Sequence, residues 1–310
     1  MGDVNGLHHV GHIVRDMDEA MERYRRLGFT VAEPAYPELP GMAEPVGVVN
    51  THVYFPGGFV ELVSAGRVPA GARPIPLRVP DDKLPGLTAA VRATAANIAA
   101  FLRRFQGLHI VIADTPDIDA VAARLTAAGV GHGGVHAVQR PVETATGTRM
   151  EPARYLELSH PGLPAGRVPE GRVGFAQNAP VDDERHPEHA NGATALTGCL
   201  LHVAAPDLAE VRRRYATYFG PATQATAPDS AQDSAQAAAP DRAGVTVTSA
   251  PQSGGAPPAL PGFAGFTVSV RDLDATVRHL GGNGVAFTRT GRQAAVPVLG
   301  TTIVFRQEAG

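Results

Sequence analysis

Four stretches of the chain share one local plan, and nothing else in the sequence narrows the fold as far. The first, "GLHHVGHIVRDMDEAMERYRRLGFTV", reads as a strand over residues 7–14, rich in β-branched positions and ended by Asp16. Asp16 with Glu19 three positions on makes a capping-box pattern, Met17, Ala20, Met21 and Tyr24 recur at helical spacing, and Gly28 is placed to close the helix. Three short β-like runs follow, "FTVAEP", "NTHVYFPG" and "GFVELVSA", the last two joined by the turn signal Pro56-Gly57-Gly58. The unit is therefore strand, helix, three strands. It recurs in "GLHIVIADTPDIDAVAARLTAAGV", closed by "YLELSHPG", with Ile118, Val121, Ala122 and Leu125 on one helix face. "LTGCLLHVAAPDLAEVRRRYATYFG" opens a third copy and "GFTVSVRDLDATVRHLGGNGV" a fourth, where Asp272, Leu273 and Val277 match Asp16, Met17 and Met21.

Repetition of this kind predicts an α+β chain of four tandem βαβββ modules. At 310 residues there is chain enough for two domains. The expected division is an N-terminal pair of modules over 1–165, a connector rich in Pro, Gly and charge over 166–194, and a C-terminal pair over 195–310. The stretch "PATQATAPDSAQDSAQAAAPD" is too poor in bulky apolar residues to offset its ordering entropy, so a mobile loop is expected over 221–242. Residues 87–105 read as an amphipathic helix between the first two modules, with Leu87, Val91, Ile98, Phe101, Leu102 and Phe105 on its apolar side.

Charge and cysteine usage remove several classes of function. A formal charge of −3, from 27 basic against 30 acidic residues, supplies no electrostatic reason for a nucleic-acid or anionic-membrane partner. No segment approaches the roughly 20 apolar residues a membrane span needs, and "MGDVNGLHHV" lacks the basic-then-apolar order of a signal peptide. The lone Cys199 sits in an apolar run and reads as a buried thiol. These features point to a cytoplasmic protein whose partner is a small molecule.

The opening "LHHVGHIVRDMDEAMERYRRLGFTV" with its closing "GGFVELVSA" resembles the vicinal oxygen chelate superfamily, which includes glyoxalase I, extradiol dioxygenases and bleomycin-resistance proteins. "FLRRFQGLHIVIADTPDIDAVAARL", "VGFAQNAP" and "HPEHANGATAL" further resemble a glyoxalase-like subgroup. The resemblance implies modules paired into curved mixed sheets, each pair enclosing a cup. It also implies metal ligands from the first and last strands of each unit. Carried onto this chain, those are His9 and Glu61 in the first module and His109 and Glu157 in the second. Such a set suits one divalent ion, Zn, Ni, Mn or Fe, with open positions for substrate.

Strand alternation selects among the three opening histidines. His9 shares a face with Leu7, Gly11 and Ile13, whereas His8 and His12 point the other way and stand about 13 Å apart along a strand. His109 lies eight residues before Asp117 where His9 lies seven before Asp16, so a one-residue register change would turn it to the opposite face. His52 and Tyr54 alternate on one face, and with Arg140 and Arg154 they are candidates to line the cup and hold a substrate. His186 and His189 fall among turn residues. The third and fourth modules carry Leu200 and Gly265 where the ligand histidine would stand, so the C-terminal pair reads as degenerate.

The resulting expectation is a metal-dependent glyoxalase-like enzyme of lyase or isomerase type, with Glu157 or Glu61 as the base that moves a proton next to a carbonyl. An extradiol-type dioxygenase using His9, His109 and Glu157 on iron is the related alternative. A metal-free small-molecule binding or resistance protein is the third. Whether modules pair within one chain or across a homodimer stays open.

Overall fold

The computed structural model describes residues 3–39, 48–76, 80, 82–144, 146–182, 184–220, 242–250 and 260–308. The loop expected over 221–242 falls outside these residues except at its last position. The first module comprises β1 (Gly6–Ile13), α1 (Met17–Arg26), β2 (Ala35–Glu38), β3 (Val48–Phe55) and β4 (Gly58–Ala65). A short strand β5 (Arg73–Pro76) and helix α2 (Leu84–Arg104) lead to the second module: β6 (Gly107–Asp114), α3 (Ile118–Ala127), β7 (His136–Thr144), β8 (Gly147–Glu157) and β9 (Arg172–Asn178). The third has β10 (Ala193–Val203), α4 (Leu208–Phe219) and β11 (Val245–Ser249). The fourth has β12 (Gly262–Val270), α5 (Leu273–Gly282), β13 (Thr288–Thr290), β14 (Gln293–Val298) and β15 (Thr301–Gln307). This is the α+β repeat the sequence predicts.

The aspartates start the helices as expected in three modules of four. Asp16, Asp117 and Asp272 each accept a hydrogen bond, at 3.0 Å, from the backbone amide three residues on. Such a cap satisfies an amide the helix itself cannot. Asp207 makes no side-chain cap, and α4 is entered instead through a 3-10 turn, Ala205–Asp207. Helix α2 keeps its predicted apolar side only in part, with Ile98 and Phe101 buried. Cys199 is buried, as its apolar run predicts.

The strand that closes the second module is the main departure from the sequence reading. Residues 172–178, expected in the connector, form β9, which pairs antiparallel with β8 and parallel with β6. "YLELS" is thus the middle strand of its hairpin and not the closing one. The reason is local: "YLELS" imitates the apolar frame of "FVELV", while "RVGFAQN" follows a Gly- and Pro-rich loop that hides it. Matching hydrogen bonds fix the equivalence. The Val14 amide donates to Val63 of β4, and the Thr115 amide donates to Ala176 of β9, each donor two residues before its capping aspartate.

The chain divides into two compact units that do not follow its halves. One unit takes Met1–Val10, Ile110–His186 and Leu196–Thr267; the other takes Gly11–His109, Pro187–Ala195 and Val268–Gly310. The first unit therefore holds most of the second and third modules, and the second unit most of the first and fourth. This grouping differs from the expected division at 165 and 195, and specific contacts explain it.

In the first unit, Arg124 of α3 donates to the carbonyls of Thr217 and Tyr218 at 2.6 and 2.9 Å, and Phe175 of β9 packs on Phe219 of α4. In the second unit, residues 187–195 are tied to both modules. The Asn191 side chain donates to Leu27 O at 2.9 Å, and Thr276 of α5 donates to Asn191 O at 2.7 Å. Phe29 stacks on Phe305 with ring centroids 5.7 Å apart. His12 joins the same two modules. It accepts from the Tyr24 hydroxyl through Nδ1 at 2.8 Å and donates through Nε2 to the carbonyl of Leu299 at 2.9 Å. Leu299 turns the β14–β15 hairpin at φ 44°, a left-handed conformation that few side chains adopt.

Candidate functional site

In the second unit, β3 and β4 form a hairpin around Pro56-Gly57, with Gly57 at φ 77°. Alternation along β3 buries Val49, Thr51, Val53 and Phe55 and leaves Asn50, His52 and Tyr54 half-buried on the other face. Register places His52 opposite Glu61 and Tyr54 opposite Phe59. Residues directly opposite on antiparallel strands stand side by side, so one face gathers two polar and two aromatic groups.

The geometry of that face is specific. The His52 ring stacks on Tyr54 at 5.1 Å between centroids and meets Phe59 edge-on at the same distance. Asn50 donates through Nδ2 to Glu61 Oε1 at 3.1 Å, which fixes the carboxylate beside the imidazole. Burial holds His52 below the usual imidazole range, and the Glu61 charge opposes that shift. His52 is therefore a neutral imidazole near pH 7, able to give a hydrogen bond at one nitrogen and take one at the other. His52 and Tyr54 share the face that alternation predicts. Asn50 and Phe59 were legible by the same rule, since both lie in the runs that flank the hairpin turn.

The second module arranges the corresponding positions differently. Setting Val63 against Ala176 places Gly174 where Glu61 stands and Glu157, which pairs with Gly174, where His52 stands. A Cβ at Gly174 would run into the Leu156 carbonyl oxygen, so no carboxylate can occupy that position. Glu157 itself is in an ion pair with Arg172, whose Nε donates to it at 3.0 Å, and its other oxygen lies where a side chain at Gly166 would stand.

His109 is also off the expected register. It corresponds to His8, not His9, and its buried ring packs between Phe101 and Phe105 with centroids 4.7 and 4.2 Å away. Its Nε2 bonds to the Phe105 carbonyl at 2.9 Å. Phe101 and Phe105 belong to α2 and its exit, so His109 is a packing residue of the second unit.

The remaining predicted residues are engaged in the first unit. His8 Nδ1 and His9 Nδ1 are 2.7 Å apart, one ring donating to the other, and His8 Nε2 meets the Asn178 amide at 2.8 Å. Burial lowers the His8 pKa, with Asp114 acting against it. Arg140 forks onto Glu184 at 2.9 and 3.1 Å, and Arg154 onto Asp119 at 2.8 and 2.7 Å. Both guanidiniums therefore already hold a carboxylate of the chain itself. His189, in the second unit, is a clasp: its Nδ1 accepts from the Thr30 amide at 3.1 Å and its Nε2 donates to Tyr54 O at 3.0 Å.

A family model described as "Glyoxalase-like domain" matches residues 7–219. The chain belongs to this glyoxalase-like family. With it comes membership of the vicinal oxygen chelate superfamily, many of whose members use a divalent metal. Solved structures share the fold. A hypothetical protein from Staphylococcus aureus superimposes with a TM-score of 0.56 at 10% identity, covering 98% of this chain and 99% of that one. A variant of 4-hydroxymandelate synthase from Streptomyces coelicolor gives 0.56 at 16% identity, covering 100% and 94%. At such identities the likeness is one of fold. No curated protein sequence matches the chain. No helix among the described residues is long and apolar enough to cross a membrane.

A metal of the kind the family uses would need several of these side chains to meet around one point. The expected set of His9, Glu61, His109 and Glu157 does not fit: the His109 Nε2 is bonded into the core, and Glu157 is neutralised by Arg172. Among the described residues no three His, Cys, Asp or Glu side chains converge closely enough to hold an ion. The iron triad of His9, His109 and Glu157 fails on the same two residues.

Proposed function

We propose that the β3–β4 face binds a small planar carbonyl compound and that Glu61 and His52 move a proton on it, an isomerase or lyase type of chemistry performed by this chain's own side chains. The observation that carries this reading is the cross-strand His52–Glu61 pair, set between Tyr54 and Phe59 and steadied by Asn50. Glu61 would accept the proton α to the carbonyl. The neutral His52 would donate to the oxygen on which negative charge develops, and the aromatic rings would seat the flat part of the substrate. Of the four residues expected as metal ligands, only Glu61 takes part in this chemistry.

The test is exchange of α-protons of small aryl ketones in D2O, followed by proton NMR. Wild-type protein should accelerate exchange, and Glu61→Gln should remove about 10²-fold or more of that acceleration while leaving the thermal midpoint nearly unchanged. Equal exchange by the two proteins would refute the assignment. Binding with no exchange in either protein would make this a binding module instead.

A further inference from the structure

Taking the β3–β4 face as the site, we propose that it selects ligands carrying a positive charge or none, and turns away carboxylates and phosphates. Two independent observations lead there.

The first is the charge inventory of the face. Among the described residues Glu61 is the charged group that acts on His52. Asn50, Tyr54 and Phe59 contribute no charge, and His52 is neutral. An anionic ligand lying on His52 would meet a carboxylate at close range and, among the described residues, no cation that acts on that ring. A cationic ligand would meet that carboxylate together with the electron-rich faces of aromatic rings. His52, Tyr54 and Phe59 lie within 5.1–5.8 Å of one another, so a flat cation covering one ring also reaches the field of the others.

The second observation concerns the residues that sequence nominated to hold a carboxylate or phosphate. Arg140 and Arg154 both make two-pronged ion pairs, with Glu184 and Asp119. A guanidinium whose fork already grips a carboxylate has lost the geometry by which it recognises another. The sequence thus carries arginines of the type an oxoacid or acyl-phosphate site would use, and the fold commits them elsewhere. The ligand class that remains is a planar carbonyl compound with an ammonium, pyridinium-like or uncharged substituent.

Three para-substituted acetophenones of matched shape separate the cases: the trimethylammonium, tert-butyl and carboxylate compounds, titrated calorimetrically at about pH 8, where an imidazole is neutral. The cation should bind about tenfold more tightly than the carboxylate, with the tert-butyl compound between them. Glu61→Gln should shrink that ratio to about threefold or less, and raising the salt concentration with the wild-type protein should shrink it too. The salt series gives the same readout without a substitution. A carboxylate that binds as tightly as the cation, or a cation preference that survives unchanged in Glu61→Gln, overturns the proposal. Exchange of the acetyl protons, measured on the same compounds, keeps the two readings apart. A charge order without exchange removes the acid–base role and leaves the selectivity; exchange without a charge order does the reverse. Absence of binding by all three compounds removes both.

Discussion

The hairpins β3–β4 and β8–β9 occupy equivalent places in two copies of one module, yet they present opposite surfaces. In the first copy the positions are Asn50, His52, Phe59 and Glu61, a carboxylate set beside a neutral imidazole and an aromatic edge. In the second they are Tyr155, Glu157, Arg172 and Gly174, where an ion pair closes on itself and the backbone comes too close for any side chain. The lesson is that repetition preserves what starts a helix and pairs a strand, because those bonds are demanded by every copy. What stands on the open face is under no such demand, and one copy sets a carboxylate beside an imidazole while the other is filled.

The sharpest way to break the comparison is to exchange the small residue. Gly174→Ala forces a methyl into the Leu156 carbonyl and should cost about 3 kcal/mol or more in denaturant unfolding. Glu61→Gly, on the half-exposed face, should cost only about 1 kcal/mol. Similar losses at the two positions would mean that the backbone does not close the place of Gly174 to a side chain.

Acid should test the joint within the second unit next. The first unit joins its modules through Arg124, which stays charged at any accessible pH. The second joins its modules through the fully buried His12, whose pKa burial pushes down from 6.5 to about 4, the Leu299 bond partly offsetting the shift. The folded chain thus holds fewer protons than the unfolded chain between these values. The contribution is complete above about pH 6.5 and is lost as pH falls toward about 4, roughly 3 kcal/mol in all. Burial lowers His189 in the same unit and adds in the same direction. Hydrogen exchange should therefore show α1 and α5 opening more readily at about pH 5 than at about pH 7, and burial of His8 and His202 gives the first unit an acid dependence of the same sign. His12→Phe, which cannot take a proton, should flatten the acid dependence; an unchanged slope would assign it to other groups.

Smaller effects test the caps and the hairpin. Asp16→Ala, Asp117→Ala and Asp272→Ala should each cost about 1 kcal/mol, and Asp207→Ala, at an uncapped helix, about 0.3 kcal/mol or less. Leu299→Gly should stabilise by about 0.5 kcal/mol, because glycine takes a positive φ without strain. A loss on that substitution would show that the leucine side chain contributes more than its backbone costs.

How much of this was legible in the sequence depends on the range of the interaction. Helices, caps and the shared face of His52 and Tyr54 follow from spacing within about ten residues, and the structure keeps them. The strand β9 was not legible, because its short glycine-containing run sits beyond a Pro- and Gly-rich loop and "YLELS" copied the expected closing pattern. His109 shows the limit of strand alternation. One residue of offset from its aspartate separates a face residue from a core residue, and only the packing of Phe101 and Phe105 decides between them. The pairing of the first module with the fourth lies in bonds to residues 187–195, whose Pro, Asn and Gly composition signals a turn but not its destination.

Apart from Met1–Val10, the residues of the first unit lie in sequence between parts of the second. On a ribosome, which releases the N-terminal end first, α1 and the β3–β4 hairpin emerge early and wait while some two hundred further residues are made. The first unit has all its parts once residue 267 is out, whereas Phe29 meets Phe305 only when the last strand is free. During translation Phe29 is therefore an apolar surface in need of cover, and a premature stop before β15 would leave it without the ring it stacks on.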